Sequence, residues 1–320
     1  MNRLRCTLVR ARIVKPHLPG ISSVPQAHTN GITIEYEEFG AAADPAVLLI
    51  MGLGAQLTRW PIAFCTKLVA RGYRVIRFDN RDVGRSTHLD AAPVPNLAQV
   101  VAARMAGMHV DVPYTLQDMA ADTIGLLDAL HIEQAHIVGA SMGGMIAQLV
   151  AADYPQRVLS LTSIMSTSGN PSLPPPTPAA AAVLMARSPD PADQEAYITH
   201  GLNSLRTIAS PAFPFDAKAT RERILTDLDR GYNPAGYARQ IAAVTAHGDR
   251  REKLKRITAP TVVVHGADDP LVPVAAGRDT ADSIRNAELR IIPGMGHDLP
   301  AALYDTIVDA IDGAAKRAAA

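Results

Sequence analysis

Two periods of hydrophobicity take turns along this chain. Ile32–Phe39 (ITIEYEEF) alternates apolar and polar residues, as a strand with one solvated face would. Ala46–Met51 (AVLLIM) is an unbroken apolar block, short enough to be a strand buried on both faces. Phe64–Ala70 changes to helical spacing and Tyr73–Phe78 (YRVIRF) returns to strand. Thr115–Leu130 sets Leu116, Met119, Ile124, Leu127 and Leu130 along one helical stripe. Ala135–Val138 then reads as strand, Met142–Asp153 as helix and Val158–Ile164 as strand. The alternation resumes late, with strands at Thr261–His265 and Ala287–Ile292 and helices at Ala275–Ile284 and Ala301–Ile311. Strands separated by helices pair in parallel through right-handed crossovers, so the pattern predicts an α/β fold with a doubly wound, mostly parallel sheet. No internal repeat is visible, which argues against a solenoid.

One stretch breaks the rhythm. Gly169–Pro178 (GNPSLPPPTP) cannot be regular structure, because proline removes the backbone donor and fixes φ. Beyond it Ala179–Arg187, Asp193–Thr207, Thr220–Asp229 and Ala235–His247 have helical spacing, with no strand until Thr261. A helical block between two strands of a parallel sheet predicts a cap or lid over the carboxyl edge, where such sheets bind ligands. The predicted organisation is therefore a core from 28–168 and 251–320, a helical cap at 169–250, and a basic extension at 1–27. That extension has no acidic residue before Glu35 and carries Arg3, Arg5, Arg10, Arg12 and Lys15. Arg10 and Arg12 interrupt the only apolar run that could serve as a secretory signal, so the segment is expected to be disordered.

Composition narrows the function. Among 320 residues, 31 Lys+Arg balance 31 Asp+Glu, so no net field draws the chain to a phosphate backbone, and no nucleic-acid partner is expected. No uncharged apolar run reaches the ~18 residues of a membrane-spanning helix. Two cysteines, Cys6 and Cys65, make neither a disulfide framework nor a zinc cluster. The expectation is a cytoplasmic protein with no metal, no cofactor and no membrane partner, its oligomeric state left open.

The chemistry centres on Gly139-Ala140-Ser141-Met142-Gly143-Gly144, which follows the strand AHIV and opens the helix MIAQLVAAD. A serine in a strained strand-to-helix turn needs neighbours without Cβ two residues away on each side. With 22 glycines in 320, a given serine meets that condition by chance only about once in 200. A serine hydroxyl is a poor nucleophile until a base takes its proton. Of the ten histidines, His297 in Gly294-Met295-Gly296-His297-Asp298 is the one on a glycine-rich loop at the sheet's carboxyl edge. His265, His131 and His136 end or flank strands and read as structural. The base needs a carboxylate to fix its tautomer, and His265-Gly266-Ala267-Asp268-Asp269-Pro270 supplies two. Periodicity does not choose between Asp268 and Asp269. Negative charge on a carbonyl oxygen under attack would be held by the backbone N–H groups of Met142 and Leu53, the latter in the Gly52-Leu53-Gly54 loop after AVLLIM.

These residues carry a resemblance. MGLG (51–54), RFDNRDVGRS (77–86), GASMGG (139–144), GADDPLVP (266–273) and GMGH (294–297) resemble the α/β-hydrolase superfamily over roughly Asn30–Ala315. Within it, the stretches from Met51 to Pro61 and from Asn80 to Ser86 resemble bacterial carboxylesterases and aclacinomycin-methylesterase-like members. The resemblance implies Asp269 as the acid, with Asp268 in reserve, and a cap after the sixth strand. Met51 stands where many members carry histidine, which puts the polar support of the oxyanion loop in question. Met142 replaces the tryptophan usual in proline iminopeptidases. A serine at the elbow argues against epoxide hydrolase and haloalkane dehalogenase chemistry.

The expectation is a serine hydrolase that cleaves carboxylic esters of small to medium apolar molecules through an acyl-enzyme. The alternatives are a lactonase, amidase or cofactor-free perhydrolase on the same triad, or a non-catalytic ligand-binding protein of the same fold. Trp60, the only tryptophan, is a candidate for the acyl pocket. Met142, Met145, Met165 and Met185 could shape an apolar pocket but are ordinary core filler. Phe213, Phe215, Tyr232 and Tyr237 are expected in the cap. Asp79, Arg81, Asp82 and Arg85 are expected to bond one another and tie down their loop.

Overall fold

Residues 25–319 are described by a computed structural model. β1 (Gln26–Thr29), β2 (Ile32–Phe39), β3 (Ala46–Ile50), α1 (Ile62–Val69), β4 (Arg74–Phe78), α2 (Leu97–Met105), α3 (Leu116–Ala129), β5 (Ala135–Ala140), α4 (Met142–Asp153) and β6 (Val158–Ile164) come first. Then α5 (Pro178–Met185), α6 (Gln194–Ile208), α7 (Ala217–Arg230), α8 (Pro234–His247) and the single turn α9 (Arg251–Leu254) follow without an intervening strand. β7 (Thr261–Gly266), α10 (Val274–Ser283), β8 (Glu288–Ile292) and α11 (Tyr304–Ala318) complete the order. The strands form one sheet, β1-β2-β4-β3-β5-β6-β7-β8. Only β1–β2 and β2–β4 are antiparallel; every other pair is parallel.

The central strands are apolar throughout because each feeds two cores. In β3, Leu48 and Ile50 pack with Leu126 and Leu127 of α3 and Ile146 and Leu149 of α4. Their neighbours Val47 and Leu49 point the other way, to Phe64 and Leu68 of α1 and Ile307 and Ile311 of α11. Each of these side chains is fully buried, worth roughly 1.5–3 kcal/mol apiece relative to exposure. Among the described residues no helix is long and apolar enough to cross a membrane.

Three readings of the sequence change. The sheet starts earlier than the predicted 28–168 core, because β1 pairs Gln26 with Glu35 and Ala27 with Ile34, and Ala27 is buried. The rest of the predicted extension, residues 1–24, lies outside the described residues. α2 was not expected; Asn96 caps it by accepting from Ala98 N–H at 3.1 Å and Gln99 N–H at 3.3 Å. His136 lies inside β5 rather than beside it, with Nδ1 2.9 Å from Ser160 Oγ and its ring edge-on to Tyr73.

Burial pushes the His136 imidazole down to about 4, well below its usual range. The folded state therefore binds this proton more weakly than the unfolded chain, whose histidines titrate near about 6.5. Its contribution is fully present above that value and is lost as pH falls toward 4. Urea titrations across that window should show stability falling with acidity, by at most about 3 kcal/mol from this group. The His136→Gln chain should show a shallower fall. An unchanged slope would remove His136 as the cause.

Candidate active site

Ser141 sits at the step from β5 to α4 with φ 57° and ψ −121°, a region that costs a non-glycine residue about 1–3 kcal/mol. Its neighbours two residues away on either side leave no room for a side chain. A Cβ on Gly139 would stand 2.1 Å from the Gly143 carbonyl oxygen, and one on Gly143 would stand 2.1 Å from the Ile50 carbonyl oxygen. The peptide is held on both sides. Ser141 N–H donates to Ile164 O (2.9 Å), and Ser141 O accepts from Gly144 N–H (2.9 Å) and Ser166 Oγ–H (2.8 Å).

His297 arrives on the loop after β8, with its Nε2 3.0 Å from Ser141 Oγ and its Nδ1 2.7 Å from Asp269 Oδ2. With Nδ1 protonated, His297 donates to the carboxylate and Nε2 is left to accept from the serine. Asp269 answers the question its neighbour left open. Its side chain is fully buried, its Oδ1 accepts from Leu271 N–H (2.9 Å) and Val272 N–H (2.8 Å), and its Oδ2 faces His297. Asp268 turns away and accepts from Gly294 N–H at 2.8 Å. His265 braces the acid's turn: its Nε2 is 2.7 Å from Val272 O and 3.7 Å from Asp269 Oδ2. Burial holds the His265 imidazole below its usual range, and its Nε2 donates to the Val272 carbonyl, which can only accept.

The histidine loop is pinned from the inserted helices. His297 N–H donates to Ile208 O (2.8 Å), the last residue of α6, and Gly296 N–H donates to Ser210 Oγ (2.8 Å). Ser210 in turn donates through N–H (2.9 Å) and hydroxyl to Asp298, whose carboxyl is pushed up by burial.

The loop after β3 runs against the serine, for a Cβ on Gly52 would lie 3.0 Å from Ser141 Cβ. Two side-chain amides hold this loop, which has Met51 where a histidine was in question. Asn80 Nδ2 donates to Met51 O (2.9 Å), and Gly54 N–H donates to Gln240 Oε1 of α8 (2.8 Å). Among the described residues Leu53 N–H makes no hydrogen bond, and Met142 N–H is the first of α4, where no intrahelical acceptor exists.

Several expectations are revised here. Trp60 is fully buried, stacked on Phe64 at 5.4 Å in the α1–α11 core, and is not open to a ligand. Met185 is 63% exposed, whereas Met142, Met145 and Met165 are buried. Tyr237 does lie at the site, its hydroxyl on Leu184 O (2.9 Å) and its ring over Gly54. The charged cluster after β4 does not bond mainly to itself. Arg81 makes a bidentate pair with Asp122 of α3 (2.6 Å each), and Asp82 one with Arg239 of α8 (2.7 Å each). Asp79 accepts from Arg230 of α7 at 2.6 Å, and Glu35 faces the same guanidinium at 2.9 Å. Burial pushes both carboxyls up, which Arg230 opposes. The partners of Asp79 and Asp82 lie about 150 residues away and left no local signal.

Known proteins agree with the architecture. The alpha/beta hydrolase fold family model matches residues 45–300, and the chain belongs to that family. Rhodomycin D methylesterase of Streptomyces peucetius is 31% identical over 88% of this chain and 94% of its own. Its counterpart from Streptomyces sp. strain C5 is 30% identical over the same shares. A solved meta-cleavage product hydrolase from Pseudomonas fluorescens superposes with a TM-score of 0.69 at 21% identity, over 92% of this chain and 98% of its own, and shows the fold alone.

The elbow's packing makes a direct prediction. Gly143→Ala puts a methyl group into the Ile50 carbonyl, so the chain should lose about 3 kcal/mol or fail to fold. Urea unfolding measures it, and a loss under ~1 kcal/mol would show that the elbow relaxes freely.

Proposed function

We propose that the protein is a cofactor-independent serine hydrolase of carboxylic esters, with Ser141 as nucleophile, His297 as general base and Asp269 as its orienting acid. The observation that carries this reading is the pair of contacts from His297, 3.0 Å to a serine in a strained elbow and 2.7 Å to a buried carboxylate. His297 Nε2 takes the Ser141 proton as Oγ adds to the ester carbonyl. Asp269 holds the Nδ1 proton and stabilises the imidazolium that forms. The oxyanion is held by the N–H groups of Leu53 and Met142, the second at the positive end of α4. His297 then protonates the departing alcohol, leaving an acyl-enzyme at Ser141, and activates the water that hydrolyses it.

Similarity to the two methylesterases supports an ester substrate with a small alcohol such as methanol. In this reading residues 169–250 act as the cap. Its bonds from Gln240, Ile208 and Ser210 reach both the oxyanion loop and the histidine loop. The proposed location is the cytoplasm, on the composition argument given above, and the proposed partner a small-molecule ester, on the similarity to the methylesterases.

The test is hydrolysis of p-nitrophenyl acetate, butyrate and octanoate near neutral pH by the wild-type chain and Ser141→Ala. Wild type should turn over, and the substitution should cost a factor on the order of 10⁶ if the three side chains act as a unit. Retained activity in purified Ser141→Ala would end the mechanism. A folded wild-type chain that neither hydrolyses these esters nor takes a fluorophosphonate label on Ser141 would end the esterase reading.

A further inference from the structure

The loop leaving β3 passes directly against the nucleophile. A Cβ on Gly52 would lie 3.0 Å from Ser141 Cβ and 3.5 Å from Ser141 Oγ. The chain then turns back, with Gly54 at φ 63° and Ala55 N–H donating to Gly52 O at 3.2 Å. One bond at the long end of the usual range constrains the direction of the Leu53 N–H only weakly. The firmer anchors come from outside the loop. Asn80 Nδ2 donates to Met51 O (2.9 Å) before Leu53, and Gln240 Oε1 accepts from Gly54 N–H (2.8 Å) after it. Among the described residues the Leu53 N–H between them makes no hydrogen bond.

Asn80 follows β4 in the core, but Gln240 reaches in from α8 of the inserted segment. Its side chain is fully buried, and its Nε2 donates to Arg81 O at 2.9 Å. A backbone N–H only donates and a carbonyl only accepts, so these two partners fix the amide in one orientation. Helix α8 is itself held in place. Arg239 makes two 2.7 Å bonds to Asp82, and the Tyr237 ring closes over Gly54, where a Cβ would lie 2.6 Å from its Cδ2. The loop is thus gripped at one end by the core and at the other by a buried amide on an inserted helix.

We infer that Gln240 is a positioning residue for ester hydrolysis: through Gly54 it aims the Leu53 N–H at the carbonyl oxygen that turns anionic, so α8 takes part in building the oxyanion hole. The inference rests on the ester-hydrolase reading. Gln240 bonds neither Ser141 nor His297, whose contacts run to one another and to Asp269. Its loss should therefore spare substrate binding and weaken the step in which charge reaches the oxygen. Deleting an oxyanion donor costs ~10²–10³ in rate; here the Leu53 donor is displaced and the Met142 N–H stays, so a loss of about 10–100-fold is expected.

Gln240→Met keeps the length of the side chain and removes both hydrogen bonds. With p-nitrophenyl butyrate its kcat should fall about 10–100-fold while KM moves by less than about threefold. A trifluoromethyl ketone tests the cause. Ser141 Oγ adds to its carbonyl carbon, the hydroxyl proton passes to His297, and the carbonyl electron pair becomes the oxyanion. Its affinity should fall in step with kcat/KM, while butyrate, which forms no adduct, keeps its affinity. A folded Gln240→Met chain with wild-type kcat, or one whose loss falls on KM and butyrate affinity, overturns the role. Should that chain not fold, amide hydrogen exchange in wild type decides. Gly54 N–H should be protected with and without the ketone, and Leu53 N–H only in the adduct; an unprotected Gly54 N–H or an unchanged Leu53 N–H overturns the assignment. A wild-type chain that hydrolyses no ester removes the esterase reading and this role together, whereas a fully active Gln240→Met chain removes this role alone.

Discussion

The approach of α4 to the end of β3 is the constraint on which the site depends. Gly143 lies so close to the Ile50 carbonyl that no side chain fits between them, and Gly139 lies as close to Gly143. This packing holds Ser141 in its positive-φ turn, and it also puts the first N–H groups of α4 against the loop leaving β3. A strained residue persists only where its surroundings over-determine it. Here hydrogen bonds at both the N–H and the carbonyl of Ser141 and two forbidden Cβ positions do so. Nucleophile and oxyanion donors, as proposed, therefore come from one close contact rather than from two separate loops.

Sheet register extends the same logic to the other side chains. Ile50 pairs with Gly139, Ala140 with Ile164, and Gly266 with Ile292, so the carboxyl ends of these strands are level. The loops bearing Leu53, Ser141, Asp269 and His297 all start from that edge. The inserted helices complete the arrangement from above. Gln240 holds Gly54, Ile208 and Ser210 hold the histidine loop, and Arg230 and Arg239 anchor the segment to Asp79 and Asp82. Removing one partner of such a buried pair strands the other charge, at a cost of about 3–5 kcal/mol. The helices are thus fastened at α7 and α8 by charge, and at the end of α6 by the backbone of the histidine loop.

Legibility in the sequence followed the range of each interaction. Strand blocks such as Ala46–Ile50 and Val158–Ile164 were readable because burial on two faces leaves an unbroken apolar run. The elbow was readable because its steric demand is met within five residues. Asp269 was not separable from Asp268 by spacing, since the choice depends on Leu271 and Val272 N–H groups closing a turn around one carboxylate. Trp60 misled because an aromatic near a catalytic loop reads alike in a pocket and in a core. The cluster after β4 misled for the opposite reason: its carboxylates and guanidinium look sufficient for one another, yet Asp79, Arg81 and Asp82 each bond across the fold.

This fold meets buried guanidinium groups with carboxylates wherever the architecture needs them: Arg81 with Asp122, Arg230 with Asp79 and Glu35, Arg239 with Asp82. Where it uses no carboxylate, as at Arg250, carbonyl oxygens of Gly248 and Thr167 and the Gln148 amide receive the donors instead. Asp298 bonds Ser210 to keep His297 in place, and Asp227 is divided between Thr58 and Arg59. Local carboxylates are thus committed to holding the loops that carry the proposed chemistry.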